Sequence, residues 1–116
     1  SREYANTLTH SELSDKDFAP ASETEIINRI LRNLLRSADW DRDVSASLRY
    51  LDALVSINPK DRYHRTLRAM TQYGLGSFVE ALVDINYLID QDPQDPANAP
   101  LIEIKRRLMQ SHEQIR

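Results

Sequence analysis

The residues with the most evident potential for chemistry are three aspartates at alternate positions, Asp39, Asp41 and Asp43. This spacing opens a calcium-binding loop, which also needs Gly at its sixth position and Glu at its twelfth. Val44 and Tyr50 occupy those two positions. We therefore expect no calcium site. We interpret the aspartates as the acidic start of a helix, where carboxylates interact favourably with the helix dipole.

No other set of residues predicts catalysis or a cofactor. The chain has no Cys, which excludes thiol nucleophiles, thiolate metal ligands and disulfides. His10, His64 and His112 lack the spacing of a metal-binding pair, and we expect all three at the surface. The only glycines, Gly74 and Gly76, mark a turn and do not form a phosphate-binding loop. The sequence thus predicts a protein that is not an enzyme and has no metal or cofactor.

Apolar residues at helical spacing predict five helices, and local signals predict their ends. Ser22 and Glu25 form a capping box ahead of the first. The second ends near Ile57, because a residue before proline avoids the α conformation. The predicted helices are about 23–37, a second to Ile57, a third between Asp61 and Gly74, a fourth capped by Ser77 and ending at Asp92, and a fifth over about 98–115 capped by Asn98.

A repeat relates these helices. The stretch 58–61, Asn-Pro-Lys-Asp, recurs at 92–95 as Asp-Pro-Gln-Asp, 34 residues later. This is the period of the tetratricopeptide repeat, a helix-turn-helix unit. The predicted fold is therefore all-α: two antiparallel helix pairs, about 28–61 and 62–95, and a capping helix at about 98–115, within a domain 22–116. Six apolar residues of the second helices are predicted to be buried: Leu48, Leu51, Leu54, Leu82, Ile85 and Leu88.

Residues 1–21 lack helical periodicity, and we interpret them as a linker or docking arm with Tyr4, Leu8, Leu13 and Phe18 as anchors. Either this arm or a domain ahead of it would cover the first end of the stack. Because Ser1 is not a start methionine, we expect the chain to be a fragment of a longer protein.

A concave groove is the predicted functional surface, because the first helix of each tetratricopeptide pair lines one. The basic end carries Arg and Asn at i, i+4, i+7 spacing, and the other end is apolar and aromatic. Such a surface suits a peptide with an acidic or carboxylate end. An equally supported reading is that Arg29 and Asn33 contact a docked N-terminal domain. The predicted groove residues are Arg29, Arg32, Asn33, Arg36, Tyr63, Thr66, Leu67, Met70 and Tyr73.

Trp40 is the only tryptophan and lies between the first two predicted helices. We expect it to pack over the turn that joins them, since residues beside a repeat core are usually partly buried. The alternative is that Trp40 anchors a partner.

Two stretches resemble bacterial proteins of the SirB type: Phe18-Ala19-Pro20-Ala21-Ser22 and the helix start 25–34, where Arg29, Leu31, Asn33 and Leu34 match the family pattern. Arg68, Gly76 and the stretch 80–82 also match, and the resemblance covers about 18–108. Proteins of this type join an N-terminal transglutaminase-like domain to tetratricopeptide repeats. The resemblance implies that the present chain is the repeat region and that the transglutaminase-like domain lies outside it.

The composition limits the possible partners. Net charge is −3, although twelve arginines stand against three lysines. Without a basic field or a known motif we expect no nucleic-acid partner, and without a long apolar run we expect no membrane partner. The sequence therefore predicts a cytoplasmic interaction module that binds a protein or peptide. The alternative is a structural or regulatory domain that docks onto its own N-terminal domain.

Overall fold

The computed structural model describes residues 22–115, with the side chains of 112–115 outside that description. Within this range the chain is all-helical and forms no strand, which confirms the all-α part of the prediction. The docking arm predicted for residues 1–21 lies outside the described residues. The helices are α1 Glu23–Trp40, α2 Val44–Ile57, α3 Arg62–Gly74, α4 Phe78–Gln91 and α5 Ala99–Ile115, with a 3-10 turn at Pro96–Asn98.

The predicted caps begin most of these helices. Ser22 Oγ accepts from the Glu25 amide at 3.0 Å, and the Glu25 carboxylate accepts from the Ser22 amide at 2.9 Å. Asp43 and Asp61 cap α2 and α3 through their carboxylates. Ser77 precedes α4, but its side chain makes no capping hydrogen bond. Helix α1 continues one turn past the predicted end, because Ala38 is buried and holds that last turn against the fold.

Helix ends and turns recur at the 34-residue offset. Helices α2 and α4 have 14 residues each and begin at the equivalent positions 44 and 78. The turn before each contains a residue in the left-handed region, Arg42 at φ 58° and Gly76 at φ 81°. Arg42 and Gly76 are also 34 positions apart. The same backbone turn is therefore built twice, once from a residue that favours it and once from one that does not.

Two apolar clusters hold the helices together. One joins Leu35 of α1 to Leu51 and Leu54 of α2. The other joins α3, α4 and α5 through Ala69, Ile85, Leu88, Leu101 and Ile104. Four of the six residues predicted to be buried are buried. The exceptions are Leu48 and Leu82, which are half-buried because each lines an open cavity between helices.

The start of α5 differs from the prediction. Asn98 is fully buried and ends the 3-10 turn, in which the Asp95 side chain accepts from the Ala97 amide. Its amide nitrogen donates to the Asp92 carbonyl at 2.7 Å, and its oxygen accepts from Arg62 at 2.8 Å. Arg62 also donates to the Leu88 carbonyl at 2.8 Å. Asn98 thus connects the start of α3 to the end of α4, and its side chain is not used as a cap.

Candidate partner-binding groove

Helix α3 has an open depression on each side. The depression toward α1 has a volume of about 190 Å³, and the one toward α5 has about 380 Å³. Tyr63 and Leu67 line both, so the surface is continuous across α3. We call this continuous surface the groove. Its lining residues are Arg32, Leu35, Arg36, Asp39, Arg62, Tyr63, His64, Thr66, Leu67, Asp95, Ala97 and Leu101.

The structure brings together five of the residues predicted from the sequence: Arg32, Arg36, Tyr63, Thr66 and Leu67. Two come from α1 and three from α3. Tyr63 is 67% exposed, so most of its ring faces solvent. This part of the groove therefore combines guanidinium groups with an aromatic and an aliphatic side chain, as the sequence predicts.

The other predicted residues lie farther away. Arg29 and Asn33 are exposed on α1 but do not line the groove. Met70 is exposed on α3. Tyr73 lies half-buried against Phe78, with ring centres 5.7 Å apart. It lines a separate cavity because the C-terminal half of α5 covers that end of α3.

The charges in the groove are unevenly distributed. Arg32 and Arg36 are exposed, and Arg36 donates to the Asn33 side chain at 3.3 Å. Asp39 is the acidic lining residue on α1, and it accepts a hydrogen bond from Ser47 at 2.8 Å. The prediction of a surface His64 is wrong: its side chain is buried, and Nδ1 lies 2.8 Å from the carboxylate of Asp61. His10 and the His112 side chain lie outside the described residues.

A buried polar cluster positions α3, and sequence reasoning missed it. Asp84 of α4 is 1% exposed and accepts from Arg65 at 3.0 Å and from Arg68 at 2.8 and 2.7 Å. Hydrogen bonding to Asp84 raises the pKa of Arg68. Arg65 also donates to the Pro59 carbonyl at 2.8 Å and lies 3.8 Å from the Tyr87 ring centre. This cluster fixes the rotation of α3 and so the direction in which Tyr63 and Leu67 point.

A signal for this cluster was present in the repeat alignment. The positions 34 residues before Arg65 and Arg68 hold Leu31 and Leu34, and the position before Asp84 holds Tyr50. Charges of opposite sign thus replace apolar residues together, two on one helix and one on its antiparallel neighbour. Such a joint replacement in a repeat indicates that the charges meet inside the fold.

Trp40 is 87% exposed, which contradicts the expectation that it packs over the turn. It is the last residue of α1, and its ring faces solvent and does not pack over the turn that follows. With Arg36, Ser37 and Asp41 it lines a shallow depression of about 300 Å³. The alternative prediction, that Trp40 anchors a partner, remains a prediction.

Two further surfaces are apolar. Four residues of α1 form an exposed stripe: Ile26, Ile27, Ile30 and Leu34. The other is the cavity beside Tyr73, of about 560 Å³, which lies among α3, α4 and α5 and is lined by Tyr73, Phe78, Val79, Leu82, Arg107, Leu108, Met109 and Ser111. Among the lining residues that the structure describes, Arg107 alone is charged, and it is paired with Glu103 at 3.0 Å.

The aspartates at 39, 41 and 43 act within the fold. Asp43 caps α2 through the Ala46 amide at 3.1 Å, and Asp39 binds Ser47. Among the residues that the structure describes, no group of three or more His, Cys, Asp or Glu side chains could hold a metal ion. In the same part of the chain, no helix combines the length and apolar character needed to cross a bilayer.

Comparison with known proteins identifies distant bacterial relatives. Protein SirB1 of Salmonella typhimurium is 33% identical over 86 residues, which cover 74% of this chain and 32% of that protein. The UPF0162 protein YchA of Escherichia coli is 31% identical over 91 residues, covering 78% of this chain and 34% of YchA. No protein-family model matches the chain. The chain is thus a distant homologue of SirB1 and YchA and spans about a third of their length.

Proposed function

We propose that this chain is a tetratricopeptide-type interaction domain that binds an acidic peptide in the groove and has no catalytic role. The observation that carries the proposal is the position of Arg32 and Arg36 beside Tyr63 and Leu67 in one open depression. Repetition of helix ends and turns at a 34-residue offset supports the repeat class. As part of the same proposal, we expect this chain to act in the cytoplasm and its partner to be a protein found there.

The groove chemistry favours an anionic ligand with an apolar part. Guanidinium groups bind carboxylates with two parallel hydrogen bonds, which fixes direction as well as charge. Tyr63 offers a large contact surface with little side-chain entropy to lose, and Leu67 lies beside it. Neither the guanidinium groups alone nor the apolar pair alone would select one class of ligand. Together they favour a peptide that brings carboxylates to the arginines of α1 and also carries apolar side chains.

Amide NMR spectra of the labelled chain, recorded during titration with a pool of acidic peptides, test this proposal. We expect concentration-dependent shifts for residues of the groove and unchanged shifts on the outer face of α2. A matched pool with Gln in place of Glu and Asp is the control and should produce much smaller shifts. Shifts confined to the outer face of α2, or equal shifts from both pools, would contradict the proposal.

A second candidate function rests on the exposed apolar stripe of α1. Ile26, Ile27, Ile30 and Leu34 are between 40% and 52% exposed. The positions 34 residues after Ile30 and Leu34 are His64, which is buried, and Arg68, which is half-buried. The matching side of α3 is therefore partly covered, whereas this side of α1 is open. The structural alternative is that a transglutaminase-like N-terminal domain, implied by the resemblance to SirB-type proteins, docks on this stripe.

Hydrogen exchange separates the two candidates. The backbone amides of residues 26–34 and 63–67 would be compared between this chain and a longer parent protein. Added protection over 26–34 alone supports docking on the stripe and leaves the groove open. Added protection over 63–67 in the parent protein would mean that its own N-terminal domain occupies the groove.

A further inference from the structure

We propose that Trp40 is the apolar anchor of the peptide site, and that the partner carries its acidic residues toward Arg29 and an apolar residue at Trp40. This inference rests on the proposed function and specifies its ligand. Arg29, Asn33, Arg36 and Trp40 follow i, i+4, i+7, i+11 spacing on α1, so they share one helix face. All four are exposed. We call this face the α1 strip.

Trp40 presents its indole ring to solvent. At 87% it is the most exposed of the large hydrophobic residues that the structure describes, and Arg36 lines the same depression. Tryptophan and arginine are the residue types most enriched among the few that supply most of the binding energy at interfaces. An indole also has only two side-chain torsions, so it offers a large contact area and loses little rotamer entropy when a partner covers it.

The charge pattern gives the ligand a direction. Arg29, Arg32 and Arg36 supply positive charge along α1. The Trp40 end is closer to neutral, because Asp41 lines the same depression as Arg36 and Trp40, and the helix carbonyl end carries partial negative charge. A carboxylate is therefore more favoured near Arg29 and Arg32 than at Trp40. The ligand should be acidic at one end and uncharged and apolar at the other.

The dimensions define a probe. Arg29 and Trp40 are eleven positions apart, which is about 16 Å along a helix rising 1.5 Å per residue. An extended peptide covers that distance in about five residues at roughly 3.3 Å each. A capped peptide of about six residues, with two glutamates at one end and leucine at the other, matches the α1 strip. A second peptide, with alanine in place of leucine and otherwise the same sequence, serves for comparison.

Single-stranded nucleic acid is the other ligand class that arginine and tryptophan can bind, by phosphate contact and base stacking. The net charge of −3 and the aspartates at 39, 41 and 43 disfavour a polyanion beside Trp40. The peptide is therefore the favoured ligand. A labelled oligonucleotide of similar length is a further probe in the experiment.

The experiment measures the affinity of both labelled peptides by fluorescence anisotropy for the wild-type chain, Trp40→Ala and Ile102→Ala. Ile102 is an exposed aliphatic residue of α5 outside the groove and the α1 strip, and it serves as the matched control. We expect the leucine peptide to bind wild type about tenfold more tightly than the alanine peptide. Trp40→Ala should abolish that difference and leave the alanine peptide unchanged. Because Trp40 is the only tryptophan, its emission should also shift when the leucine peptide binds.

Each other outcome has a defined meaning. Equal weakening of both peptides by Trp40→Ala, or weakening of neither, would overturn the anchor. If Arg36→Ala weakens both peptides while Trp40→Ala affects neither, the groove stands and the anchor alone fails. If wild type binds neither peptide at millimolar concentration, the proposed function fails as well. Oligonucleotide binding without peptide binding would overturn the peptide as ligand.

Discussion

Arg68 of α3 donates two hydrogen bonds to the carboxylate of Asp84 in α4, from Nε at 2.8 Å and from Nη2 at 2.7 Å. Asp84 is almost fully buried, whereas Asp52, the other partner of Arg68 at 3.2 Å, is 56% exposed in its side chain. The same guanidinium therefore takes part in one buried and one exposed ion pair. Loss of the two carboxylates should have very different effects.

Asp84→Ala should lower the free energy of unfolding by about 3–5 kcal/mol, because it leaves Arg65 and Arg68 partly buried without their carboxylate. Asp52→Ala should lower it by about 1 kcal/mol or less, since exposed ion pairs contribute little. Urea unfolding followed by circular dichroism measures both. Similar losses in the two variants would show that the Asp84 cluster is not buried.

The equivalent residues of the first helix pair suggest substitutions that should avoid the loss of stability expected for Asp84→Ala. The triple variant Arg65→Leu, Arg68→Leu and Asp84→Tyr takes the residue types found 34 positions earlier. Apolar replacement of a whole buried ion cluster is often neutral or stabilising. The triple variant should therefore be more stable than Asp84→Ala.

Substitutions at Arg42 and Gly76, in the two equivalent turns, should change stability in opposite directions. Arg42→Gly should raise stability by up to about 1 kcal/mol, because the left-handed backbone at φ 58° costs a non-glycine residue roughly 1–2 kcal/mol and glycine has its own entropic cost. Gly76→Ala should lower stability by about 1 kcal/mol, as no atom lies within 4 Å of the added Cβ and only the backbone strain acts. Melting temperatures that move in the same direction would refute the equivalence of the two turns.

Leu51→Ala and Ile85→Ala should each lower the free energy of unfolding by about 2–5 kcal/mol, as is usual when a large buried side chain is cut to alanine. Both residues occupy the same position of their helix pair and are at most 2% exposed. Ile102→Ala, at a half-exposed site of α5, should change stability far less. A melting temperature unchanged in both core variants would show that the repeat register is wrong.

Glu103 predicts a local pH dependence. Hydrogen bonds from Arg106 and Arg107 lower the pKa of Glu103 to about 2. A carboxyl whose pKa is lowered by folding stabilises the fold above its unfolded pKa of about 4.3, and that contribution disappears as pH falls toward 2. The group is exposed, so the effect on stability should be small.

A carboxyl-carbon NMR titration of Glu103 measures this pKa directly. The double variant Arg106→Gln and Arg107→Gln should return the pKa toward the ordinary value for glutamate. If wild type and the double variant titrated together near pH 4.3, the hydrogen bonds from Arg106 and Arg107 to Glu103 would not exist in solution.

The helices and the repeat period could be predicted because they depend on local signals. Caps such as Ser22 and Asp61, and the prolines after α2 and α4, act on neighbouring backbone and are visible in the sequence. The burial of Leu51 and Ile85 follows from the same periodicity. These features need no knowledge of how the helices pack.

Side-chain burial at helix ends and across helices could not be predicted in this way. Whether Trp40 is covered depends on the path of the turn after it, and whether His64 is buried depends on how α1 crosses α3. Tyr73 shares the helix face of Tyr63 but lies beneath α5, so the predicted single face is divided between two cavities. The sequence therefore predicted the part of the groove between α1 and α3, but the prediction extended too far along α3, to Tyr73.

The central claim is that arginines of α1 bind the acidic end of a peptide without supporting the fold. The most direct measurement is peptide affinity against melting temperature for Arg29→Ala and Arg36→Ala, with Arg49→Ala on the exposed surface of α2 as the matched control. We expect Arg36→Ala and Arg29→Ala to weaken an acidic peptide about tenfold, because a charge-assisted hydrogen bond contributes about 1.5–3 kcal/mol and ~1.4 kcal/mol is tenfold. Melting temperatures should stay near wild type, and Arg49→Ala should bind normally. Unchanged affinity in both α1 variants, or equal weakening by Arg49→Ala, would contradict the claim.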